Sequence, residues 1–205
     1  MIYVNILFGI LTVAAIILFF VKSSRHTKKQ DEINRRFLEE EDAANAVRKK
    51  DIEPELYFTA DLSVFPQLPE GDPFQVERCA KRTMIRFEKP VSNLELKKEY
   101  GPTQMDIIAQ YEENFNEYLK SLTKWAKALS EEENNADALS ILEKVILLGA
   151  EFRDTYKLAA DICAAKQDAE GLDTLLELVS ENYFRDPAIR TQILEYINTK
   201  KEEFA

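Results

Sequence analysis

A pattern of apolar residues that recurs after 34 residues is the feature that most constrains the fold of this chain. Each of its eight apolar positions has an apolar counterpart in the second copy. The pairs are Leu122 with Tyr156, Trp125 with Ala159, Ala126 with Ala160, Leu129 with Cys163, Ala138 with Leu172, Ile141 with Leu175, Leu142 with Leu176, and Val145 with Val179. The spacings of three and four residues predict that each unit is a helix, a turn and a second helix.

Polar residues separate the two helices of each unit. The stretch 131–135 aligns with 165–169, and Asn135 and Asp168 stand where the N-caps of the second helices are expected. Asp186 and Pro187 then predict the start of a closing helix, because aspartate is a good N-cap and proline suits the first helical position.

Paired helices with this period resemble the tetratricopeptide repeat family. The resemblance covers residues 119–186 and the closing helix, and its small-residue slot is filled by Ala126 and Ala160. The small position of the second helix is Ala138 in the first unit but Leu172 in the second, and the family's closing proline is absent from both units. A generic α-solenoid or an irregular helical bundle of similar pitch is therefore the alternative.

The resemblance implies a binding module in which the first helix of each pair lines a groove for a peptide or a helix. The family's groove positions, carried over to this chain, are Lys120, Thr123, Lys127, Asp154, Lys157, Asp161, Thr191 and Glu195. An ordinary solvent-exposed helix face is the alternative interpretation of these residues.

The amino-terminal residues predict a membrane anchor. Residues 2–21 carry no charged side chain, and a helix of about 20 residues covers about 30 Å, the hydrocarbon thickness of a bilayer. A cleaved signal peptide is disfavoured because the run is too long and lacks a cleavage pattern. We therefore expect a single transmembrane helix over residues 1–22.

A basic cluster follows the apolar run directly. It consists of Lys22, Arg25, Lys28 and Lys29. By the positive-inside rule these residues predict a single-pass protein of the cell membrane, with its N-terminus outside and its remaining residues in the cytosol. Attraction to anionic lipid headgroups is the alternative role of this cluster.

The rest of the chain divides into three segments by composition. Residues 23–50 predict a charged spacer helix, residues 51–102 a proline-rich extended segment with one helix over 73–87, and residues 103–205 the helical repeat-like domain. The helix over 73–87 would carry a basic cluster of Arg78, Lys81, Arg82 and Arg86, which either recognises an acidic partner or lipid, or is neutralised by acidic neighbours.

An aromatic-rich seam along residues 108–129 predicts the core-facing side of a long helix that opens the repeat domain. Its members are Ile108, Tyr111, Phe115, Tyr118, Leu122, Trp125 and Leu129. Because two repeat units are too few to be stable alone, we expect the helix over 73–87 and the first half of this long helix to pack on the first unit as a cap.

Charge and composition exclude several classes of function. The formal net charge is −10, which argues against a nucleic-acid binder. A single histidine, His26, and two cysteines, Cys79 and Cys163, cannot form the usual zinc sites, and the repeat domain has no histidine for a catalytic base. We predict no catalytic residues, no metal and no cofactor.

The sequence therefore predicts an all-α protein: a transmembrane helix followed by a small α-solenoid-like domain with a proline-rich extended segment. Its expected function is that of a membrane-tethered adaptor or assembly factor that binds a protein or peptide and is not an enzyme. The alternatives are a subunit of a membrane complex whose transmembrane helix makes the main contacts and, less favoured, an enzyme of unrecognised type.

Overall fold

The computed structural model of the chain describes residues 29–87 and 90–203. The described residues are mostly helical and divide into two compact units. The first unit holds residues 29–50 together with Asn93–Thr103, and the second holds the remaining described residues.

The first unit is built from two helices, α1 (residues 29–45) and α3 (Asn93–Tyr100). Ala44 and Leu96 are buried in it. Ion pairs join the helices: Lys97 lies 2.8 Å from Glu41, and Lys98 lies 2.8 Å from Glu40. The hydrogen bond to Glu40 lowers the pKa of that carboxyl.

Helix α1 ends at residue 45, short of the limit of 50 predicted for the spacer helix. The backbone N–H of Lys50 donates to the carbonyl of Tyr100, so the chain after α1 pairs with the end of α3 and does not continue as a helix. Gly101 (φ +82) makes this close approach feasible, because a Cβ there would lie 3.1 Å from the carbonyl oxygens of Val47 and Arg48. Residues 23–28 of the predicted spacer lie outside the described residues.

The second unit begins with residues 51–92 of the proline-rich segment, where the structure has less helix than predicted. The rest of that segment belongs to the first unit and contains α3, a helix that the sequence did not predict. A 3₁₀ turn (Pro54–Leu56) leads into strand β1 (Tyr57–Phe58), followed by helix α2 (Val76–Ala80) and strand β2 (Met84–Ile85). The strands pair antiparallel, with Tyr57 opposite Ile85 and Phe58 opposite Met84.

The helix predicted over residues 73–87 is therefore wrong in most of its length. Helix α2 begins only at Val76, with Gln75 as its N-cap residue. The Asp72 carboxylate accepts from the backbone N–H groups of Val76 (2.8 Å) and Glu77 (2.9 Å) in the first turn of α2. After Ala80 the chain is extended, and Met84 and Ile85 pair with β1. Because these residues form a strand, they cannot continue the helix.

Five helices follow, and their ends recur with the period of the sequence pattern. They are α4 (Met105–Glu131), α5 (Asn135–Leu147), α6 (Arg153–Ala165), α7 (Ala169–Glu181) and α8 (Pro187–Glu202). Both α5 and α7 have 13 residues. Their starts lie 34 residues apart, as do the starts of α6 and α8 and the ends of α4 and α6.

The turns inside the two repeat units have the same backbone conformation. Glu133 (φ 64) and Gln167 (φ 55) are both left-handed, and the next residue in each turn donates back to the preceding helix: Asn134 to the Leu129 carbonyl (2.8 Å) and Asp168 to the Cys163 carbonyl (2.9 Å). Such bonds satisfy carbonyls that a helix end leaves free.

The caps that follow these turns confirm one prediction and correct another. Asp168 caps α7 by accepting from the Gly171 N–H (2.8 Å). The cap of α5 is Asn134, which accepts from the Asp137 N–H, and not Asn135, which is the first residue of the helix. Asp186 caps α8 as predicted.

The core confirms the apolar pairing. Of the sixteen matched residues, Leu129 and Leu176 are half-buried and the others are buried. The aromatic seam of α4 is buried at five of its seven positions, with Tyr111 and Leu129 half-buried. Residues of α2 and β2 join the same core: Val76, Ala80 and Met84 cluster with the α4 seam, and Phe58 meets Phe115 edge to face at 5.8 Å.

The membrane part of the predicted fold class needs correction. Among residues 29–87 and 90–203, no helix is both long enough and apolar enough to cross a bilayer. The 27-residue α4 has the length, but charged side chains such as Glu113, Lys120 and Lys127 lie along its exposed side. The span predicted over residues 1–22 lies outside the described residues, and the single-pass topology is not retained.

Candidate functional site

The first helices of successive units lie side by side, because α6 packs against both α4 and α8. The predicted groove residues lie on these three helices, and we call them together the repeat face. All eight are exposed or half-buried: Lys120, Thr123, Lys127, Asp154, Lys157, Asp161, Thr191 and Glu195. The structure distributes them over the three helices and does not gather them into one pocket.

Where α4 meets α6, contacts within the protein join the two helices. The hydroxyl oxygens of Thr123 and Thr155 lie 3.0 Å apart, and the Lys120 Nζ lies 5.5 Å above the Phe152 ring. Thr123 therefore serves the helix–helix contact, although the resemblance to the repeat family implied a place for it in the groove.

Where α6 meets α8, a polar cluster joins the helices. The Tyr196 hydroxyl donates to Asp161 (2.7 Å), Lys200 Nζ lies 3.3 Å from the same carboxylate, and Lys157 Nζ lies 4.3 Å from the centre of the Tyr196 ring. Burial, with the hydrogen bond to Asp161, raises the pKa of Tyr196, and the Asp161 hydrogen bond raises the pKa of Lys200.

These contacts engage some of the predicted groove residues within the protein and leave others exposed to a partner. Lys157 and Asp161 are engaged within the protein, and the Thr191 hydroxyl donates to the Pro187 carbonyl. Lys127 is exposed, and among the described residues its only ion-pair partner is Glu131, at 3.9 Å. Asp154 is likewise exposed, in the first turn of α6.

A cleft between α2 and α4 borders the repeat face at Lys120. This α2–α4 cleft has a volume of about 380 Å³, and Phe74, Cys79 and Ser121 are among its lining residues. Its charged lining residues are Arg82, Lys120, Lys124, Glu113 and Glu117. Sequence reasoning missed Phe74 and Lys124, although the four-residue spacing of Lys120 and Lys124 places them on one side of a helix.

A second cleft, of about 230 Å³, lies among β2, α4 and the turns before α6 and α8. Phe115 and Leu148 contribute its apolar surface, and Arg86 and Arg185 contribute cations. Arg185 is held by carboxylates, with Glu112 at 3.0 Å and Glu151 at 3.7 Å.

A buried hydrogen-bond network fixes the turns beside the second cleft. The Tyr156 hydroxyl donates to the Ala150 carbonyl (2.9 Å), and Asn182 Nδ2 donates to the Tyr156 hydroxyl (3.1 Å) and to the Ile146 carbonyl (3.0 Å). Burial raises the pKa of Tyr156 to about 12, because ionisation would place a charge in the core.

The predicted basic cluster does not lie on one helix face, because α2 ends at Ala80. Lys81 pairs with Glu77 at 2.6 Å, and Arg82 pairs with Glu117 of α4. The Arg78 guanidinium donates to Gln75, while Arg86 lies in the second cleft.

Of the cluster predicted to flank a membrane, the structure describes only Lys29, which is exposed on α1. Lys22, Arg25 and Lys28 lie outside the described residues.

The two cysteines are buried as free thiols. Burial, reinforced by the Asp168 carboxylate, raises the pKa of Cys163 to about 11. Across residues 29–87 and 90–203, no group of three or more histidine, cysteine, aspartate or glutamate side chains is arranged to hold a metal ion.

We compared the chain with protein-family models, with curated proteins and with solved structures. No family model, no curated protein and no solved structure matches it.

Proposed function

We propose that this protein is an interaction adaptor or assembly factor that binds a protein partner on its repeat face. The observation that carries the proposal is the recurrence of helix ends and turn conformations after 34 residues, which sets α4, α6 and α8 side by side. Stacked helix pairs of this kind form extended surfaces, and repeat proteins use such surfaces for binding.

The distribution of charge supports an adaptor. Polar and charged side chains of both signs lie on the repeat face, with Lys127 on α4 and Asp154 on α6 accessible to a partner. Complementary charges across an interface favour specific partners and faster association. We therefore place the partner contact on the α4–α6 part of this face.

The test is recovery of cross-linked partners by the full chain from a native extract. The variant Lys127→Glu/Asp154→Lys reverses two accessible charges and keeps the net charge. We expect it to reduce partner recovery by about tenfold, the effect of about 1.4 kcal/mol.

The matched control is Lys166→Glu/Glu170→Lys. Both residues are exposed and lie at the α6–α7 turn, and Glu170 occupies the first turn of α7 as Asp154 does in α6. The control should recover the same partners as the unaltered chain. Equal recovery by all three proteins, or no enrichment over an empty affinity tag, would contradict the proposal.

A further inference from the structure

We propose that the α2–α4 cleft is a docking site for an acidic segment of a partner protein that inserts one apolar side chain. The inference rests on the proposed function, because it assigns partner chemistry to an interaction protein. It places that contact beside the repeat face, where the proline-rich segment packs on α4.

The α2–α4 cleft differs in charge from the rest of the chain. Residues 51–205 carry 18 basic and 31 acidic side chains, a net charge of −13. The cleft is lined by three basic and two acidic side chains, so it is locally positive within an acidic domain. Charges beyond about 8 Å are largely screened at physiological ionic strength, so a small ligand at the cleft responds mainly to this local excess.

The pairing of the individual charges strengthens the argument. The Arg82 guanidinium is neutralised by Glu117, but Lys120 lies 3.9 Å from Glu113, at the limit of an ion pair. Within the part of the chain that the structure describes, no carboxylate pairs with Lys124. Lys120 and Lys124 are also like charges one helical turn apart, an arrangement that destabilises a helix. A carboxylate bound between them would relieve that repulsion.

The apolar lining of the cleft explains why the ligand should carry an apolar group. Phe74 and Cys79 both line the cleft, and Phe74 is half-buried while Cys79 is buried. One apolar side chain entering beside them would leave water and meet apolar atoms. The volume of about 380 Å³ lies at the small end of the range for ligand sites, which suits one side chain with its flanking backbone.

The same charges argue for a polypeptide and against an extended polyanion. The row from Lys120 to Lys127 covers only about 10 Å at 1.5 Å per residue. A nucleic acid or an anionic bilayer presents negative charge over a much longer distance and would also face the acidic surroundings of the cleft. A short acidic segment can contact the lysines alone.

The experiment selects ligands from a randomised peptide library displayed on phage, with the full chain as bait. We expect enrichment of peptides that place aspartate or glutamate next to one large apolar residue. Peptides synthesised from the selection are then measured by fluorescence anisotropy, and replacement of the apolar residue by alanine should weaken them.

The variant Lys120→Glu/Lys124→Glu should weaken a selected peptide by at least about tenfold. Lys120→Arg/Lys124→Arg keeps the charge and should bind within about twofold of the unaltered chain. Lys166→Glu/Lys201→Glu makes the same change in net charge elsewhere on the repeat domain and should also bind normally. Circular dichroism and thermal melting of every variant report whether it is folded.

The inference is overturned if no peptide is enriched, if neutral or basic peptides are enriched, or if acidic peptides bind the Lys120→Glu/Lys124→Glu variant normally. It is also overturned if phosphatidylserine vesicles or single-stranded RNA bind through these lysines more tightly than the selected peptides. Partner recovery with the Lys127→Glu/Asp154→Lys variant reports on the proposed function separately, because that variant leaves the cleft lysines in place.

Discussion

At the scale of single residues, the buried Tyr156 shows how one polar atom organises two turns. Its hydroxyl donates to the carbonyl of Ala150 and accepts from Asn182, so the turn before α6 and the chain after α7 are joined through one ring. The side chain is fully buried, and it can donate to the Ala150 carbonyl only while the phenol is protonated. Stability should therefore depend on pH in the alkaline range.

We predict that the titration of Tyr156 lowers the free energy of unfolding as the pH rises from about 10 to about 12. Its pKa is raised from 10.0 to about 12 in the folded protein, so above pH 10 the unfolded state releases a proton that the folded state retains. The contribution is complete below pH 10 and is lost as the pH rises, by up to about 2–3 kcal/mol at 1.36 kcal/mol for each pKa unit.

The measurement is urea unfolding of the unaltered chain and of Tyr156→Phe from pH 8 to pH 12. Tyr118 and Cys163 also have raised pKa values, so the difference between the two proteins isolates Tyr156. The variant should be less stable by about 1 kcal/mol at neutral pH, because its hydrogen bonds are lost, and should lose stability less steeply above pH 10. Parallel pH profiles would show that Tyr156 does not titrate as proposed.

At the scale of helices, the two repeat units share their bounds and turns but differ in how deeply they bury equivalent residues. Leu142 of α5 is fully buried. Its counterpart Leu176 of α7 is half-buried. The same residue at the same position of the repeat thus has a different environment in each unit.

This difference predicts unequal costs for the same substitution. Leu142→Ala should reduce the free energy of unfolding by about 2–5 kcal/mol, since it removes buried methyl groups and leaves a cavity. Leu176→Ala should cost clearly less, because water already reaches part of that side chain. Chemical denaturation of both variants measures the two costs, and equal values would mean that the units pack alike.

At the scale of the whole molecule, residues 51–87 of the proline-rich segment share one core with the repeat helices. Residues 51–87 belong to the same compact unit as α4–α8, and Val76, Ala80 and Met84 share one apolar cluster with the α4 seam. Without them, the apolar side of the first half of α4 would face water. We therefore expect these residues to act as a cap at this end of the stack, since terminal repeats generally need a cap.

Fragment stability tests this dependence. We expect residues 103–205 alone to lack a cooperative thermal transition and to aggregate, because Phe115 and Leu119 lose their cover. A fragment of residues 51–205, which retains α2 and both strands, should regain a cooperative transition, and the full chain is the reference. Cooperative melting of the 103–205 fragment would show that the repeat units are sufficient by themselves.

The sequence alone determined the parts of this protein that depend on neighbours along the chain. The 34-residue period, the apolar seam of α4 and the caps at Asp168 and Asp186 follow from spacings within one or two helices. Helical periodicity is a local property, so a single chain displays it directly. The choice between Asn134 and Asn135 as the N-cap of α5 was harder to predict from the sequence, since it depends on the left-handed turn at Glu133.

Only the tertiary structure decided which distant residues meet. The pairing of Phe58 with Met84 replaced most of the helix predicted over 73–87, and strands of two residues are too short to show an alternating pattern. In the same way, Thr123 hydrogen-bonds to Thr155, and Asp161 accepts a hydrogen bond from Tyr196 of a neighbouring helix. Lys124, by contrast, lines the α2–α4 cleft. These outcomes depend on how helices pack across the core. The spacing of residues within any one helix carries no information about that packing.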